Sequence, residues 1–127
     1  MRLLLDTHVF IWWDSEPSKL SSAALTALRD PTNEVWCSVV SVWEMLIKAQ
    51  MGKLSLRLPL ADIVAQQRTN GVQILPVTLE HVLGVDALPR PHKDPFDRLL
   101  AAQANQEGAT LVSADVVFAR YPIAVLW

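Results

Sequence analysis

Asp6, Glu44, Asp94, Asp97 and Asp115 are the residues of this sequence whose type and spacing could do chemistry. Asp94 and Asp97 stand three positions apart in "PHKDPFDRLLAAQANQEG", residues 91–108, on the expected first turn of a helix. A helix N-terminus offers unpaired N–H groups and a positive dipole end, and both favour a carboxylate. The same oxygens, gathered from several segments, would instead repel one another until a cation joined them. Each acid therefore has two readings. Asp6 could cap the helix that opens with Thr7 and His8, Asp94 before Pro95 is a natural N-cap, and Asp115 in "SAD" could be a turn residue. Glu44 closes "SVWE", the S-x-x-E pattern of a capping box with Ser41.

The elements that must position these acids alternate along the chain. Short apolar runs at 2–5, 34–38, 72–75, 109–113 and 123–126 read as strands buried on both faces. Helices are expected at about 7–13, 18–29, 42–50, 60–69, 78–86 and 95–107, with Ser41 and Thr78 as caps, Pro95 in a first turn and Gly108 as a stop. That order implies a parallel sheet covered by helices on both sides. In open α/β sheets the binding crevice lies beyond the carboxyl ends of the strands. Asp6, Glu44 and Asp115 all fall at that edge. Asp97 joins them if its helix starts there, which periodicity does not decide.

Composition bounds the rest. A chain of 127 residues, 51% hydrophobic, has material for one core, and it carries no internal repeat, low-complexity tract or linker, so a single domain over 1–127 is expected. The first apolar runs are broken by Asp6, Thr7 and His8, which fits neither a membrane span of about 20 residues nor a signal peptide; the cytoplasm is the expected compartment. Cys37 in "EVWCSVV" reads as a core thiol. A net charge of −2 is not that of a generic nucleic-acid binder, yet neutralising four of the 13 acids in one pocket would leave a net charge of about +2 elsewhere. Arg90, His92, Lys93 and Arg98 surround the paired acids, either as a basic rim or as a solvated loop.

The motifs "LLLDTHVFIWW", "SVVSVWEMLIKAQMGKL" and "HKDPFDRLLAAQANQEGATLVSAD" span nearly the whole chain, and together they resemble the PIN-domain ribonucleases, in particular the VapC-type toxins of toxin–antitoxin pairs. The resemblance implies a PIN-like three-layer α/β/α fold with a central parallel sheet of four to five strands. It implies that Asp6, Glu44, Asp97 and Asp115 form an acidic quartet holding one or two divalent ions, Mg2+ or Mn2+. Asp94 becomes an auxiliary acid, and Thr7 or Ser113 would orient a carboxylate or a water. It also implies an RNA substrate, a cognate antitoxin that covers the pocket, and a homodimer.

Such a site supports phosphodiester hydrolysis without a covalent intermediate. Hard oxygen ligands suit magnesium or manganese, and the His/Cys grouping that zinc favours is missing. His8 and His92 are candidate general bases or hydrogen-bonded structural groups, and Arg98 would meet a substrate phosphate or pair with a neighbouring acid. Five tryptophans, among them Trp12, Trp13 and Trp127, fit a shared apolar surface and a monomer core alike. Two rivals differ in class. An aspartyl-nucleophile phosphatase would want a second acid two positions after Asp6, where His8 stands. A non-cleaving PIN-fold module that binds RNA or protein would not need intact acids.

Overall fold

A computed structural model describes residues 1–90 and 93–127, so the expectation for His92 lies outside the described residues. The strands are β1 Arg2–Leu5, β2 Glu34–Ser38, β3 Gln73–Leu75, β4 Thr110–Val112 and β5 Val125–Leu126. The helices are α1 Thr7–Ser15, α2 Ser22–Arg29, α3 Val39–Gln50, α4 Leu60–Thr69, α5 Leu79–Gly84 and α6 Pro95–Glu107. Short 3-10 turns occupy Pro17–Lys19, Val85–Ala87 and Val116–Arg120.

All strand pairs are parallel, in the order β3-β2-β1-β4-β5. β1 is central, and Leu3, Leu4 and Leu5 are completely buried. Their side chains alternate across the sheet. Leu3 and Leu5 join Val9 and Phe10 of α1, Ala24 and Leu28 of α2, Met45 of α3 and Ile63 of α4. Leu4 joins Val40 at the start of α3, Leu100, Ala101 and Ala104 of α6, and Phe118 and Tyr121. Burying each such leucine is worth roughly 1.5–3 kcal/mol, so the two faces of one strand anchor both outer layers of the expected α/β/α fold. Among the described residues no helix is long and apolar enough to cross a membrane.

The chain runs outward from β1 through β2 to β3, then crosses to the other side of β1 for β4. The direction of winding thus reverses between β1 and β4, and a crevice opens beyond their carboxyl ends. Asp6 follows β1 there, and Ser113 and Asp115 follow β4.

Two helix starts differ from expectation. The helix expected over 18–29 divides, because the Ser21 side chain accepts a hydrogen bond from Ala24 N at 3.1 Å and caps a fresh helix. The third helix begins earlier than expected, at Val39, since Ser38 is both the last strand residue and the cap, its Oγ accepting from Val40 N at 3.0 Å. Ser41 and Glu44 therefore lie inside α3, and the capping box read from "SVWE" does not form. A capping box is found instead at α5, between Thr78 and His81.

Candidate active site

Asp6 sits at the N-cap of α1 and is 7% exposed. Its Oδ1 accepts from Thr7 N at 2.7 Å and its Oδ2 from Ser113 Oγ at 2.7 Å. Burial pushes its carboxyl above the usual carboxylate range, and the charge of Glu44 pushes the same way. Hydrogen bonds from Ser113 and Thr7 and the nearby His8 oppose the rise. Ser113, fully within the interior, also accepts from Asp115 N at 3.0 Å, so one hydroxyl ties the residues after β1 to those after β4.

Glu44 is 4% exposed on α3 and faces α1. Thr7 Oγ1 lies 2.7 Å from Glu44 Oε1 and 3.0 Å from Ser41 Oγ, which is buried. Lys48, one helical turn on, donates to Glu44 Oε2 at 2.5 Å. That hydrogen bond, followed by the charges of Glu44, Asp94 and Asp97, holds the ammonium above its usual range. Lys48 therefore supplies positive charge among the three acids. The i, i+4 spacing of Glu44 and Lys48 was a visible signal that sequence reasoning passed over.

Asp94 caps α6, its Oδ1 accepting from Phe96 N at 2.9 Å and Asp97 N at 3.2 Å. Asp97 lies half-buried in the first turn. α6 is held against the α3 start by Gln103, buried, whose Oε1 accepts from Ser38 Oγ at 2.5 Å and whose Nε2 donates to Pro76 O at 3.3 Å. This contact brings Asp94 and Asp97 within electrostatic reach of Lys48. Asp115 is exposed and caps the turn Val116–Arg120 through Val117 N at 3.0 Å.

Two further candidate groups have defined surroundings. Arg98 donates through Nη1 to Pro89 O at 2.8 Å and through Nη2 to Val85 O at 3.2 Å, so its guanidinium braces the segment before α6. Backbone carbonyls accept a fixed guanidinium fork well. His8 is exposed beside Asp6, its ring 5.9 Å from that of Trp12. Cys37 is a core thiol, pushed up to about 12 by burial.

The structure thus brings Asp6, Thr7, Ser41, Glu44 and Lys48 into one connected group, joins Asp115 to it through Ser113, and sets Asp94 and Asp97 opposite Lys48. Among the described residues no three carboxylate, imidazole or thiol groups form a ready-made cage for an ion. The arrangement can still concentrate negative charge on a crevice wall. A buried, mutually repelling carboxylate pair costs stability, and such pairs occur where chemistry uses them.

The PIN domain profile matches residues 3–124. Ribonuclease VapC22 of Mycobacterium tuberculosis is 33% identical over 114 residues, which cover 89% of this chain and 86% of that protein. Two solved structures share the fold. The VapBC2 complex of Rickettsia felis, bound to a DNA fragment from its promoter, superposes with a TM-score of 0.74 at 16% identity, over 99% of this chain and 98% of that one. DNA-bound VapBC of Salmonella typhimurium gives 0.68 at 16% identity, over 99% and 97%. The profile match across almost the whole length, the identity to a VapC ribonuclease and the acids carried at the edge of the sheet make this chain a member of the PIN-domain family, among the VapC ribonucleases.

Proposed function

We propose that this chain is the toxin of a toxin–antitoxin pair, an endoribonuclease that hydrolyses RNA phosphodiester bonds with the help of a divalent ion. One observation carries the reading of the site: Asp6 is buried with Glu44 close enough to repel it, while Ser113 and Thr7 fix its two oxygens. A fold selected for stability alone would place a neutral side chain there.

The residues fit a hard cation in chemistry. Asp6, Glu44, Asp97 and Asp115 would hold it, with Asp94 auxiliary, and this all-carboxylate set favours Mg2+ or Mn2+ over softer ions. When bound, such an ion lowers the pKa of a water and stabilises charge on phosphoryl oxygens. Thr7 and Ser113 do the positioning, because each hydroxyl fixes the orientation of one buried carboxylate. Lys48 offsets part of the negative charge around Glu44, Asp94 and Asp97.

Protein partners follow from the same reading. A cognate antitoxin would cover the acidic crevice in the cytoplasm. A second copy of the chain would cover the apolar faces of α3 and α5, where Val39, Trp43 and Leu46 are 43%, 57% and 44% exposed and Leu79, Val82 and Leu83 more than half exposed. No observation favours the non-cleaving module.

The test is cleavage of RNA by purified protein. Activity should require Mg2+ or Mn2+, stop with EDTA and return when the ion is restored. Cleavage that survives exhaustive chelation removes the ion from the reading, and the lack of cleavage with any divalent ion removes the nuclease.

A further inference from the structure

Next to Asp6 and Asp115 lies an open cleft of about 270 Å3, lined by these two acids and by His8, Val9, Trp12 and Ala114. One wall is carboxylate and the other is aromatic. His8 and Trp12 stand one turn apart on α1 with ring centroids 5.9 Å apart and a tilt of 37°. Trp127 lies 5.9 Å from Trp12 at 51°, so the three rings form a short row of neighbours through Trp12. Trp12 is half-buried and packs against the core, which fixes its indole before anything binds; His8 and Trp127 are exposed.

The use of this row follows from what the acids would grip. If the scissile phosphate of an RNA meets Asp6 and Asp115, the nucleotide beside it must pass the neighbouring wall, and that wall offers ring faces. A volume of 270 Å3 lies just below the range of small-molecule sites, roughly 300–1,000 Å3, and suits a single flat group. A duplex hides its base faces, whereas an unpaired base is free to stack on an aromatic side chain. An already fixed indole loses little entropy on binding.

We infer that the Trp12 cleft is a subsite for one unpaired nucleobase next to the scissile phosphate, with Trp12 as its stacking platform and His8 and Trp127 as flanks. The inference rests on the ribonuclease reading of the acidic site and adds the selection of substrate.

The experiment uses a short unpaired RNA that the wild type cleaves, together with a series in which each nucleotide near the scissile bond is replaced in turn by an abasic residue. KM and kcat are measured with Mg2+ or Mn2+, and Kd by anisotropy in EDTA, for wild type, Trp12→Leu and Trp12→Phe. At one flanking position the abasic substitution should raise the wild-type KM or Kd roughly 5- to 150-fold, the range of one stacked base, with kcat little changed. Trp12→Leu should show the same rise on intact RNA and no further loss on that abasic substrate, while Trp12→Phe recovers most of the binding. The abasic series on wild type needs no variant to fold, so it decides alone if Trp12→Leu is unstable. A flat series on an RNA that wild type cleaves overturns the subsite and leaves the nuclease standing. Penalties that multiply in Trp12→Leu at every position also overturn it. A wild type that neither cleaves nor binds RNA overturns both readings.

Discussion

Replacing Thr7 with valine removes one oxygen from the centre of the site and almost no volume. Thr7 is 3% exposed, with its hydroxyl 2.7 Å from Glu44 Oε1 and 3.0 Å from Ser41 Oγ. A hydrogen bond to a carboxylate contributes roughly 1.5–3 kcal/mol and a neutral one about 1 kcal/mol. The extra methyl of valine returns about 0.8 kcal/mol by apolar burial. The net loss is about 2–3 kcal/mol, because the hydroxyl makes Thr-to-Val a polar deletion despite the matched shape. For a chain of 127 residues this lowers Tm by roughly 7–11 °C. Thr7→Ser keeps the hydroxyl and loses one methyl, about 1 kcal/mol. Thr7 acts on catalysis by positioning Glu44, so Thr7→Val should also cut cleavage or ion affinity about 10–100-fold, while Thr7→Ser stays near wild type. Calorimetry without metal, then with rising Mg2+ or Mn2+, separates the two effects: the first reads folding and the second the concentration at which the ion stabilises. A larger loss in Thr7→Ser than in Thr7→Val would assign the effect to the methyl group, which valine retains. A valine variant with wild-type Tm and wild-type ion dependence would refute the claim that this hydroxyl holds Glu44.

Other outcomes test other parts of the structure. Asp6→Asn should abolish cleavage and relieve growth arrest on expression, yet leave the metal-free protein as stable or more so. Burial raises the folded-state pKa of Asp6, so the wild type loses stability as pH climbs from the unfolded value through the raised one; the Tm advantage of Asp6→Asn should be absent in acid and grow toward neutral pH, and a pH-independent difference argues against a strained charge. If wild type sediments as the proposed dimer, Trp43→Glu on the exposed α3 face should shift it toward monomer without lowering the monomer's helix content; an unchanged dimer moves the interface elsewhere, and a monomeric wild type removes it. Gly108 ends α6 with φ of 61°, so Gly108→Ala should cost about 1–2 kcal/mol in a denaturant titration, and no shift in midpoint would deny that strain.

The sheet was legible because its strands are short, apolar and unalternating, a pattern that follows from burial on both faces and needs no knowledge of partners. Placing acids at the carboxyl edge required only that frame. The register of α3 was not legible. Ser38 and Ser41 are equally good caps by chemistry, and the choice between them is made by the sheet, which ends at Ser38 and leaves no loop before the helix. Starting the helix three residues earlier turns Glu44 from a cap into a buried group facing Thr7. Contacts of this kind join positions far apart in the chain, as do those of Gln103 with Ser38 and Arg98 with Val85. Local patterns carry no record of them. The resemblance to a family supplied the acids' grouping, which spacing alone left open for Asp97.

The bond between Ser113 and Asp6 joins residues 107 positions apart, and this has a consequence for the time at which the protein becomes dangerous. Synthesis delivers Asp6 107 positions before Ser113, together with three leucines whose β4 neighbours, Thr110 to Val112, come as late. Until those residues leave the ribosome, β1 has an open edge and Asp6 lacks both Ser113 and Asp115. A nascent chain therefore carries half a site while it is still tethered to the RNA machine that makes it. The price of this late assembly is a long exposure of an apolar strand, which makes the partly made chain a natural client for chaperones. Its benefit is that RNA cleavage waits for the segment that carries β4 and Ser113.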